Sequence, residues 1–96
     1  MRKLKICAVC GAGLGSALII KMMLEKVVKR ENINAEVITA NVASRHYLDA
    51  DIIVGSKIFA PNFATCGIPF IGIENMADEE EYAKKLKSVI EKIKGK

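Results

Sequence analysis

The sequence predicts an α/β fold: a small three-layer sandwich in which a four-stranded parallel sheet of order 2-1-3-4 carries helices on both faces. Short apolar runs alternate with segments striped at helical spacing, the pattern of parallel strands joined by right-handed helical crossovers. The first and third runs are apolar, as strands covered on both faces must be, whereas the second carries Glu36 and Thr39 and reads as an edge. The junction after the first run is rich in glycine and leads at once into a helix.

The first strand is expected over residues 3–9, with Ile6-Cys7-Ala8-Val9 as its apolar core. A helix follows over 16–30, in which Ala17, Ile20, Leu24, Val27 and Val28 recur on one face and should pack on the sheet. Glu31-Asn32-Ile33-Asn34 breaks it. Residues 35–40 form the edge strand, and 41–50 a connection with a turn or two of helix. Asp51-Ile52-Ile53-Val54-Gly55 is a short apolar run between turn residues, suited to a central strand. Phe59 and Phe63 lie four apart within 56–67, consistent with a short helix or packed loop whose regularity Pro61 limits. Residues 69–73 make the fourth strand, with Pro69 tolerated at its start. In the last helix Asp78 and Glu81 have capping-box spacing, and Glu79, Glu80 and Glu81 suit the N-terminus. Tyr82, Leu86, Val89, Ile90 and Ile93 form its buried stripe, and Gly95 ends it.

At 96 residues the chain is expected to form a single domain spanning 1–96, and 51% hydrophobic residues can fill its core. No apolar run approaches the ~20 residues of a membrane span, and the run after the basic N-terminus is too short for a signal peptide, so a cytoplasmic location is expected. Three cysteines, Cys7, Cys10 and Cys66, do not suggest a structural disulfide in such a chain. Cys7 and Cys10 have redox-motif spacing, but residues three apart on a strand face opposite ways. With one histidine and no second cysteine pair, no metal site is indicated. Cys7 and Cys66 read as small buried hydrophobes. The net charge of +4 comes largely from lysines on the polar face of the last helix, which reads as a solvated surface rather than a nucleic-acid site.

Chemistry concentrates at Cys10-Gly11-Ala12-Gly13-Leu14-Gly15-Ser16. A glycine-rich loop opening a helix turns backbone N–H groups inward, binds phosphate and favours thiolate over thiol. A nucleophile inside an anion cradle suggests a cysteine that carries a phosphoryl group. Cys10 is the candidate nucleophile, Gly11 to Gly15 supply amides, and Ser16 caps the helix or bonds the thiolate or phosphate. In a parallel sheet such a loop lies at the switch point, with Asn41, Ser56, Lys57 and Glu74-Asn75-Met76 expected around it. The dinucleotide fingerprint is incomplete and lacks its acidic partner, and a Walker A phosphate loop needs Gly-Lys-Ser/Thr where Gly15-Ser16-Ala17 stands. The loop is a P-loop of the phosphatase kind, yet phosphocysteine phosphatases clamp phosphate with an arginine six residues after the cysteine, and that position is Ser16. Slow hydrolysis disfavours a phosphatase and favours a carrier. A low-molecular-weight-phosphatase-like hydrolase and a non-catalytic anion-binding domain remain the alternatives.

Cys10-Gly11-Ala12-Gly13-Leu14-Gly15-Ser16 resembles the loop of the IIB components of the bacterial sugar phosphotransferase system, most closely the ascorbate-type branch. Lys21-Met22, Ala50-Asp51-Ile52-Ile53 and Gly72-Ile73-Glu74-Asn75-Met76 are also similar, so the resemblance spans nearly the whole chain; galactitol, lactose and cellobiose types share the general plan. The resemblance implies a relay: a IIA protein carrying phosphohistidine donates to Cys10, which phosphorylates a sugar entering through a membrane IIC protein. It implies no cofactor. Leu18, Ile19 and Met22 fall on the otherwise charged sector of the first helix, and with Leu14 they are expected to form a partner-docking patch. His46 lacks a convincing partner and reads as a surface residue.

Overall fold

The computed structural model describes residues 3–10, 15–41, 49–63, 67–75 and 77–94; the side chains of Cys10, Ser16, Ala17, Asn41, Asn62 and Lys94 lie outside that description. The elements run β1 (Leu4–Cys10), α1 (Gly15–Arg30), β2 (Ala35–Asn41), β3 (Ile52–Ser56), a 3₁₀ turn (Lys57–Phe59), α2 (Ala60–Phe63), β4 (Phe70–Ile73) and α3 (Glu79–Lys94). The strands form one parallel sheet of order β2-β1-β3-β4, as the apolar and polar runs predict.

Alternation along the strands sorts their side chains between two layers. On one face Ile6, Ala8, Ile52, Val54, Ile71 and Ile73 pack against Ile20, Leu24 and Val27 of α1 and Tyr82, Ala83, Leu86 and Ile90 of α3. On the other, Cys7, Val9 and Ile53 meet Ala50 and Phe63, with Phe59 and Phe70 at the margin. Phe63 stacks on Phe70 with ring centroids 5.0 Å apart. Among the described residues, helical cover on the two faces is therefore unequal: two long helices share one layer, and the 3₁₀ turn with α2 contributes to the other. The helical stripes read from spacing are the buried ones, and Val28, Val89 and Ile93 sit half-buried beside them. Ala17 and Cys66 fall outside the side chains described.

Three local devices set the strand ends. Helix α1 stops at Asn32, which adopts a positive φ of 56°. The N–H groups of Asn32 and Ile33 then reach the carbonyls of Lys29 and Val28, a Schellman closure. The Asp51 carboxylate accepts the Lys5 N–H at 2.8 Å, while the Asp51 N–H donates to the Lys5 carbonyl, fastening the start of β3 to β1. Arg30 joins the two long helices by donating to Glu79 and Glu80 at 2.7 Å each, and Lys87 pairs with Glu31 at 2.9 Å.

Candidate functional site

All four strands point the same way, so their C-terminal ends share one rim. Cys10 is the last residue of β1 and is in register with Asn41, the last residue of β2. Ala8 is in register with Val54 of β3, which brings Ser56, two residues further, to the level of Cys10. Ser56 is in turn in register with Ile73 of β4. The chain leaves β1 for β2 on one side and returns to β3 on the other. The crevice between β1 and β3 is thus the switch point, where parallel sheets hold ligands. Helix α1 starts at Gly15, five residues beyond Cys10 and one earlier than the spacing predicts. Gly11, Ala12, Gly13 and Leu14 lie outside the described residues, as do the side chains of Cys10 and Ser16.

Two glycines bring the strand ends close. A Cβ on Gly55 would stand 2.8 Å from Val9 Cγ2 and 3.3 Å from the Val9 carbonyl, so β3 can crowd β1 just before Cys10 only because that Cβ is missing. A Cβ on Gly72 would meet Lys57 Cα at 3.0 Å, which seats the backbone of Lys57 against β4. Ser56 caps the 3₁₀ turn through a long contact from Ile58 N–H to its Oγ. Lys57, the next residue, pairs with Glu74 at 3.6 Å, and both side chains are largely exposed.

Beyond β4, the Glu81 carboxylate accepts the N–H groups of Glu74 at 2.7 Å and Asn75 at 2.9 Å, and Lys85 Nζ at 2.7 Å. Desolvation pushes this carboxyl up, but the Glu74 amide, Lys85 and the Asn75 amide together prevail and hold it down to about 2. The capping box is therefore half realised. Asp78 Oδ1 does accept from Glu80 and Glu81 N–H, whereas Glu81 reaches back to the loop after β4 and not to the Asp78 amide, which donates to the Asn75 carbonyl. Spacing alone does not reveal this role, because the capping-box pattern points Glu81 at the Asp78 amide, whereas that amide is taken by the Asn75 carbonyl and the carboxylate binds the amides six and seven residues before it.

Cys7 is fully buried on the face away from α1, and desolvation raises its thiol to about 11, which leaves it inert as a nucleophile. Leu18, Ile19 and Met22 are about half exposed, at 54%, 49% and 58%, and Ile58 is 70% exposed. The first turn of α1 contains no acidic residue. Met76, His46 and Leu14 lie outside the described residues. Among the described residues, no group of three or more His, Cys, Asp or Glu side chains is arranged to hold a metal ion, and no helix is long and apolar enough to cross a membrane.

The fold is thus a small α/β domain whose parallel 2-1-3-4 sheet ends its first strand on a cysteine. Residues 5–88 match the family model described as the lactose/cellobiose-specific IIB subunit of the phosphotransferase system, and the chain belongs to that family. It is 33% identical over 89 residues to the ascorbate-specific EIIB component of Salmonella typhimurium, covering 90% of this chain and 88% of the relative. Among solved structures it superimposes on the lactose-specific IIB domain of Streptococcus pneumoniae with a TM-score of 0.62 at 15% identity, covering 94% of this chain and 97% of the other. A low-molecular-weight protein tyrosine phosphatase from Bacillus subtilis follows at TM-score 0.50 and 15% identity, covering 92% and 91%. These last two likenesses concern the fold. As a IIB component the chain is a phosphotransferase of sugar uptake, a process in which IIB components work with IIA and membrane IIC proteins.

Proposed function

We propose that this chain is a cytoplasmic phosphocarrier that takes a phosphoryl group from a phosphohistidine of a IIA protein onto Cys10 and passes it to a sugar at the inner face of a IIC permease. The observation that carries the reading is the position of Cys10, the final residue of a central strand at the switch point, with a helix opening five residues later. The amides of Gly11, Ala12, Gly13, Leu14 and Gly15, with Ser16, form the cradle, and the helix dipole favours a thiolate there. In the first step the Cys10 thiolate attacks phosphorus in line. The N–P bond breaks as the S–P bond forms, and the released imidazole takes up a proton. In the second step a substrate hydroxyl attacks, the S–P bond breaks, an O–P bond forms, the hydroxyl proton leaves to solvent, and the thiolate returns. The cradle amides meet the equatorial oxygens in both transition states. An ascorbate-like substrate is favoured by the 33% identical relative, whose name is ascorbate-specific.

Leu14, Leu18, Ile19 and Met22 form the surface on which the IIA donor lands. The described members are exposed on the first turns of α1, directly after the cysteine loop. Lys21 and the absence of acid from the first turn suit a partner that arrives with an anionic phosphoryl group.

The test incubates the chain with a phosphorylated ascorbate-type IIA protein and maps the label by mass spectrometry. A label on Cys10 that disappears in Cys10→Ser is expected. Steady hydrolysis of an aryl phosphate without a partner would instead indicate a phosphatase, and full activity of Cys10→Ser in cells would leave only an anion-binding role.

A further inference from the structure

We infer that Lys57 is the cation that meets the phosphoryl group on Cys10, and that Glu74 holds it at the neighbouring strand end while the thiol is unloaded. The inference rests on the carrier reading of Cys10 and adds a residue that the cysteine loop does not contain. Register places Ser56 level with Cys10 on the adjoining strand, one strand spacing of about 5 Å away, and Lys57 is the next residue. Among the described residues, Lys57 is the cation that directly follows a strand paired with β1 at this rim.

Its backbone is fixed from two sides. Gly55 lets β3 lie against Val9, and Gly72 accepts the Lys57 backbone at 3.0 Å from where a Cβ would stand. The side chain is bound more weakly. Its 3.6 Å pairing with Glu74 joins two groups more than half exposed, and such a pair contributes little. A phosphoryl group on Cys10 carries more charge than one carboxylate, and its oxygens offer more acceptors. It therefore draws the ammonium across from Glu74, whose own backbone N–H stays anchored by Glu81. Lys57 supplies charge and no proton. It takes the place at the rim that the loop arginine holds in a phosphatase, but from a neighbouring strand end and as a point charge without the fixed bidentate fork. A phosphothiol held in this way is stabilised without being pressed into the geometry for hydrolysis.

The test follows single-turnover transfer from a phosphorylated ascorbate-type IIA protein to the full chain, together with the iodoacetamide alkylation rate of the Cys10 peptide at pH 7 without any partner. Lys57→Gln is expected to slow transfer about three- to tenfold and alkylation about twofold, by the loss of one nearby positive charge. Lys57→Arg should retain at least half of both rates. Glu74→Gln frees the ammonium and should raise both by about twofold. Lys57→Gln and Glu74→Gln each indistinguishable from the parent chain, or Lys57→Arg as slow as Lys57→Gln, would overturn the assignment. If the parent chain takes no label on Cys10, it is the carrier reading that fails, and the alkylation rates still decide whether Lys57 faces the thiol.

Discussion

Replacing Glu81 by glutamine removes the charge that holds the loop after β4 and leaves the fold otherwise intact. In the native chain this carboxylate accepts two backbone N–H groups and one ammonium, and only 13% of its side chain is exposed. Its pKa falls from 4.5 to about 2. At about 1.4 kcal/mol per pKa unit the charged form gains at most a little over 3 kcal/mol. Lys85, 38% exposed, and the solvent-facing loop amides screen part of that gain, so about 2 kcal/mol is expected at neutral pH. Glutamine retains one acceptor oxygen, which can take the place of Oε2 before the Glu74 N–H and Lys85, but its NH₂ group then faces the Asn75 N–H, which it cannot satisfy. Because the folded pKa is the depressed one, the stabilisation is complete above the ordinary carboxyl range. It is lost as the pH falls through that range towards 2, where the folded chain also takes up the proton. Urea unfolding followed by circular dichroism at pH 7 and pH 2.5 measures both limits. With a urea slope of roughly 1 kcal/mol/M for a chain of this size, the midpoint of Glu81→Gln should lie about 1.5–2 M below the parent at pH 7. The gap should narrow to a third or less at pH 2.5. An equal gap at the two pH values, or none at pH 7, would refute the role of the carboxylate charge.

Met22→Glu should leave the unfolding free energy from urea denaturation within about 0.5 kcal/mol of the parent, since Met22 is exposed, and should cut the rate of transfer from phosphorylated IIA at least fivefold; an unchanged rate removes the docking surface. Gly55→Ala should lower stability by about 1–3 kcal/mol, because its new methyl group would lie 2.8 Å from Val9 Cγ2 inside a buried strand pair. Denaturation of that variant at pH 7 checks the figure, and a loss below 0.5 kcal/mol would show that β3 can move away from β1 freely.

The element order, the sheet order and the two buried helical stripes were legible because periodicity records which face of each element leaves water. Cys10 at the end of the first apolar run, with glycines beyond it, was legible for the same reason: strand and helix signals bracket the loop. The exposure of Leu18, Ile19 and Met22 was also readable, from their place on a sector otherwise filled by Glu25, Lys26 and Lys29. Other features are not read from spacing. Glu81 has capping-box spacing from Asp78, yet its carboxylate serves Glu74 and Asn75, because those amides come within reach when the loop after β4 folds back over the helix start. That α1 and α3 share one layer while a short 3₁₀ turn and α2 line the other depends on how the crossovers run, which hydrophobic spacing does not encode.

What the chain determined by its order of residues alone is therefore the set of elements described, the faces they bury and the place of Cys10 at the end of the first strand, all consequences of local spacing and of the need to remove apolar surface from water. Tertiary structure alone decided which groups from distant parts of the chain meet. Lys57 reaches Glu74, and the Asp51 carboxylate reaches the backbone N–H of Lys5, only once parallel strands from distant parts of the chain lie side by side in a single register.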